Sequence, residues 1–133
     1  MNHLRLARRL ALVAGLLDFS TGLGLALLPT KILPLMLAPI PGDEALIYLR
    51  FVGTFVAAVG ASYLWALLRG DVARLRGVFE FTLLFRFATG LFAAIAITRG
   101  WLAPTWTSVP VVDFALIGLQ LWLLPKLSTT DSN

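Results

Sequence analysis

The 133-residue chain has no cysteine and one histidine, His3. The first absence removes disulfides, thiolate metal sites and thiol redox chemistry. The second leaves nothing from which to build a histidine metal cluster or an intramembrane haem ligand pair. Charge is scarce as well, with 14% of residues Asp, Glu, Lys or Arg. Neither lysine, Lys31 or Lys126, falls inside a long apolar segment, so a retinal Schiff base has no attachment point. There is no P-loop, no Rossmann glycine pattern and no Ser/His/Asp arrangement.

What the chain has instead is apolar length. Hydrophobic residues make up 59% of it, and the mean hydropathy is +0.87. A soluble domain of this size has too much surface for its volume to hide so much apolar side chain. Lipid is the expected solvent. About 20 apolar residues cross ~30 Å of hydrocarbon, and four segments qualify: 10–28, 46–68, 77–98 and 109–124. The fold class expected is all-α, a single polytopic four-helix bundle over 1–133. The basic arm ahead of residue 10 resembles a signal peptide. However, the run behind it is too long for one and lacks a cleavage site. It reads as a retained first span.

The net charge of +4 and pI near 10.4 would suggest nucleic acid in a soluble protein. Here the basic residues cluster at the span ends, where they set topology, and no nucleic-acid partner is expected. Arg5, Arg8, Arg9, Arg69, Arg74, Arg76 and Lys126 fall on one side, Lys31 and Arg99 on the other. The expectation is a multi-pass protein of the cell (inner) membrane with both termini cytoplasmic. Segment 29–45 carries prolines at 29, 34, 39 and 41, which argues against a continuous helix. Its apolar stretch 32–40 predicts an outer-interface segment, either a short helical turn or a fold back over the bundle. The tail 127–133 is expected to fray.

Two short motifs recur with their charge reversed. Residues 18–23 read D-F-S-T-G-L and 86–91 read R-F-A-T-G-L; 50–53 read R-F-V-G and 113–116 read D-F-A-L. The matches predict two tandem two-helix repeats. They also set four charges inside spans, where charges are expensive and usually paired or functional. The depths pair Asp18 with Arg86 near mid-membrane, and Arg50 with Asp113 nearer the outer face. Ser20, Thr21, Thr89 and Tyr63 are candidates to join one network, and Gln120 to face the bundle interior. Glu80, four residues after Arg76, suits an exposed i,i+4 pair. Gly53, Ala57 and Ala61 form a small-residue stripe that lets a neighbouring helix approach, and Gly22, Gly90 and Gly118 are candidates for the same role elsewhere. The intramembrane candidates are therefore Asp18, Arg50, Arg86, Asp113, Tyr63 and Glu80. Buried charges of this kind also fix helix register and partner choice, so a structural role stands beside a ligand-binding one.

The stretches G-L-G-L-A-L-L-P at 22–29 and Y-L-R-F-V-G-T-F-V-A-A-V-G-A-S-Y at 48–63 resemble the small four-helix membrane proteins of the DoxX-like group and similar small bacterial families. The resemblance implies a four-helix membrane bundle. Quinone-coupled oxidation of sulfur compounds, linked to some members, has no counterpart in a residue of this chain. Three readings follow. The first is a non-catalytic membrane protein binding a lipophilic or amphiphilic molecule, or a lipid, in a polar site. Its pocket would open toward the outer leaflet, with the head near Arg50, walls of Phe51, Phe55, Phe114 and Leu116, and 29–45 as a lid. The second is an accessory subunit or homo-oligomer of a larger membrane complex. The third is a small quinone-linked oxidoreductase subunit. No catalytic residue, metal or required cofactor is expected; a quinone or a lipid is what such an interior would hold.

Overall fold

The computed structural model describes residues 2–128. Among the described residues five α-helices run in order: α1 (His3–Leu27), α2 (Pro29–Leu35), α3 (Asp43–Arg69), α4 (Val72–Thr98) and α5 (Ser108–Ser128). A 3₁₀ turn, Pro104–Thr107, leads into α5. Four of these stretches are long and apolar enough to cross a membrane: α1, α3, α4 and the 3₁₀ turn with α5. The chain is an all-α multi-pass membrane protein.

The helices outrun the apolar segments because caps, not hydropathy, end a helix. Asn2 accepts from the Arg5 amide at the start of α1, and Asp71 from the Ala73 amide at the start of α4. At ~1.5 Å per residue, the 27 residues of α3 or α4 reach about 40 Å, through hydrocarbon into the headgroups. The break after Leu27 follows from Pro29, which disfavours helical backbone at Leu28; Leu28 sits at φ −133° and ψ 51°. Pro29 then opens α2, where its missing N–H costs nothing. The tail expected to fray starts at Leu127, and there the expectation does not hold. Leu127 is helical and packs in the core, while 129–133 lie outside the described residues.

Helices α1 and α3 pack antiparallel along their length, and so do α4 and α5. The two pairs meet through α3 with α4 and α1 with α5, which leaves α1 opposite α4 across the bundle. The α1–α3 contact is a backbone approach. A Cβ on Gly22 would fall 2.2 Å from the Ala57 nitrogen, and one on Gly60 2.2 Å from the Phe19 nitrogen. Gly53 meets α1 in the same way. The stripe therefore runs Gly53, Ala57, Gly60 instead of ending at Ala61. A Cβ on Gly90 would lie against Asp113 and Phe114, whereas one on Gly118 would meet no described residue within 4 Å.

A four-helix core fills the half of the bundle nearest the termini, with Ala7, Ala11, Ala14, Tyr63, Phe79, Leu123 and Leu127 buried. At the other end α2 folds back. Leu33 is fully buried against Leu25 and Ala38, with Ile32, Met36, Leu46, Leu49 and Trp106 around them. The termini and the α3–α4 turn share one side, since Arg8 donates to the Gly70 carbonyl and the His3 ring meets Trp122 edge-on at 5.7 Å.

Candidate intramembrane polar site

Helix α4 builds the centre. Its buried residues Leu75, Phe79, Thr82, Arg86, Gly90, Ala93 and Ala96 recur at three- or four-residue spacing, one helix face. That face puts Arg86 on the bundle axis at the 15th of 27 helical positions, with its side chain 3% exposed. Each end of the guanidinium is used. Nη1 donates to Asp113 Oδ1 of α5 at 2.9 Å, and Nη2 donates to Asp18 Oδ2 of α1 across the bundle. Nε donates to the Tyr63 hydroxyl of α3 at 3.4 Å. One arginine thus touches all three other spans.

The network continues toward the termini. The Tyr63 hydroxyl donates to Thr82 Oγ1 at 2.8 Å, and Thr82 in turn donates to the Val78 carbonyl of its own helix. Those two hydroxyl protons are therefore committed. Gln120 of α5 supplies N–H to both oxygens, 2.5 Å from Tyr63 and 3.0 Å from Thr82. Gln120 Oε1 is buried and meets no donor among the described residues. At the other edge Thr89 Oγ1 donates to Asp113 Oδ2 at 2.8 Å.

The pairing differs from the expected one in a single respect. Asp18 meets Arg86 as expected, but Asp113 meets Arg86 as well, and Arg50 is elsewhere. The reason is axial register. The 3₁₀ turn starts the fourth crossing at Pro104, so Asp113 sits deeper than a start at 109 implies. Arg50 instead donates through Nη1 to the Ala26 and Leu27 carbonyls at 2.8 and 2.9 Å. These are end-of-helix acceptors that α1 leaves without intrahelical partners. Arg50 reaches them because Gly53, one turn along, brings the two backbones together. Its charge also complements the negative end of α1.

The remaining candidates separate cleanly. Tyr63 is in the network. Glu80 is not: it forms an exposed pair with Arg76 at 2.9 Å. Ser20 bonds its own helix at Leu17 and stands outside the network. The space beneath 29–45 is filled by the Leu25–Leu33–Ala38 cluster, not by a polar pocket. Phe51 and Phe55 stack edge-on, 62% and 51% exposed, where lipid would cover them. Thr82 was not singled out from the sequence, yet its spacing from Arg86 carries the signal, since residues 82, 86 and 89 share one helical face.

Chemically, the centre is two carboxylates on one guanidinium, backed by hydroxyls and an amide. Among the described residues no group of three His, Cys, Asp or Glu is placed to hold a metal ion. The arrangement can hold a polar head by charge and hydrogen bonds. Asp18 is not sealed, with 13% of its side chain exposed, whereas Asp113 is buried. No protein-family model matches the chain, and no curated protein or solved structure matches it either.

Proposed function

We propose that this chain is a non-catalytic membrane protein that binds an amphiphilic small molecule or lipid. The head would sit at the Asp18–Arg86–Asp113 centre and the tail would lie in the bilayer beside the helices. One observation carries the reading. The Asp18 carboxylate stays partly open, although the Arg86 guanidinium that it meets is sealed and Asp113 beyond it is buried. A purely structural ion pair gains most from complete enclosure by further hydrogen bonds. An opening to lipid at mid-membrane depth suits a site whose apolar wall is the bilayer.

The site lies deeper than an outer-leaflet pocket at Arg50, and the α2 segment serves as an apolar cap. We further propose that the termini face the cytoplasm, as the excess of arginine on their side favours, and that the membrane is the inner one. The DoxX-like resemblance agrees with four spans and adds no chemistry.

Native mass spectrometry of the chain released from mild detergent tests the reading. The expected result is a retained adduct of small-molecule mass on the wild type that is lost when Asp18→Asn and Arg86→Gln are combined. A bare wild-type monomer under conditions that keep lipids on a control membrane protein would overturn it. An adduct indifferent to the double change would overturn it too.

A further inference from the structure

The centre is unbalanced in one direction. Asp18 and Asp113 bring two negative charges when ionised, and Arg86 brings one positive charge. The charged groups facing this point from each packed helix are Asp18 on α1, Arg86 on α4 and Asp113 on α5, with the Tyr63 hydroxyl on α3. Arg50 is held at the α1 terminus and Glu80 is paired with Arg76, so neither corrects the sum. With both carboxylates ionised, one negative charge is in excess at mid-membrane, where an uncompensated charge is costly.

Hydrogen bonding is unbalanced in the same direction. Asp113 has both oxygens engaged, by Arg86 and Thr89. Asp18 has Arg86 on Oδ2, and no described residue donates to its Oδ1. The network is thus short of positive charge and of donors together. An anionic head would worsen both deficits, and a neutral carbonyl head would worsen the shortage of donors. A protonated amine would correct both, because –NH₃⁺ brings one charge and three donors.

We infer that the head recognised here is a cationic ammonium, carried by a long-chain amine, and that Asp18 is the carboxylate that receives it. This rests on the binding function proposed above and names the chemistry of its ligand. Arg86 then acts as a positioning residue. It fixes Asp113 and orients Asp18, and the two-to-one ratio of carboxylate to guanidinium selects against anions.

The test is calorimetric titration of the full chain in phosphatidylcholine nanodiscs, with empty nanodiscs subtracted, using decylammonium and decyl sulfate below their micellar concentrations. Saturable decylammonium binding is expected, with decyl sulfate no stronger than its partition into empty discs. Asp18→Asn should weaken decylammonium at least tenfold, while Asp18→Glu and the distant Glu80→Gln retain it. The wild-type comparison of the two probes needs no variant to fold. Saturable decyl sulfate binding that Arg86→Gln abolishes would overturn the inference and leave the amphiphile reading standing. Equal decylammonium binding by wild type and Asp18→Asn would overturn it as well. If neither probe binds while native mass spectrometry still shows an adduct, only the ammonium assignment falls.

Discussion

Arg86 is the residue on which the interior depends. Its removal leaves two carboxylates without their cation in a low-dielectric setting. Breaking a buried pair from one side costs about 3–5 kcal/mol, and the orphaning here is double. Arg86→Ala is therefore expected to lower the melting temperature in detergent more than any single change at Asp18 or Asp113. Adding Asp18→Asn and Asp113→Asn to Arg86→Gln should restore part of the loss. Strictly additive losses in that cycle would mean that the three residues are not partners. Tyr63→Phe makes a smaller, separable test. It removes the hydroxyl that joins Arg86, Thr82 and Gln120. It should cost about 1–3 kcal/mol, the usual penalty for buried partners left unsatisfied. A neutral melting temperature would exclude the network's lower half from stability.

At the scale of the helices, the α1–α3 pair is set by glycine. Gly60→Leu should split it, because a Cβ alone already collides with backbone at Phe19, and backbone has little room to yield. Gly118→Leu, with open space beside it, should leave the helix content and melting temperature nearly unchanged. Equal damage from both changes, read by circular dichroism, would contradict the packing described. Element existence was legible in the sequence because hydropathy reports the crossing itself. Helix ends were less so, since Asn2 and Asp71 cap in the polar zone where hydropathy carries no signal. Rotation was not legible for any helix, although the spacing of Thr82, Arg86 and Thr89 on one face of α4 carries a signal for it. The Arg50–Asp113 pairing failed for a reason outside any single helix. Depth was measured from the apolar ends, and the 3₁₀ turn before α5 moves Asp113 inward. What Arg50 does was not readable, because it depends on a helix terminus that α1 presents only once Pro29 has broken the chain.

The whole molecule is two antiparallel helix pairs, sparsely packed against each other and tied at the centre by polar groups. Arg86 with Asp18 spans one diagonal of the bundle, and Tyr63 with Gln120 spans the other. Arg5, Arg8, Arg9, Arg69, Arg74, Arg76 and Lys126 lie on the side of the termini, with Trp65 and Trp122 beneath Arg69 and Lys126 at that interface. A reporter active only outside the cytoplasm and fused after Asn133 should therefore be silent, and strong activity would invert the topology. The central claim is that one arginine holds two carboxylates in mid-bilayer. Magic-angle-spinning NMR of the lipid-embedded chain, with ¹⁵N in arginine side chains and ¹³C in aspartate carboxyls, measures it most directly. Guanidinium–carboxylate dipolar coupling is expected to fall partway in Asp18→Asn, partway in Asp113→Asn, and to background in the double variant. Coupling abolished by one substitution and untouched by the other would contradict it.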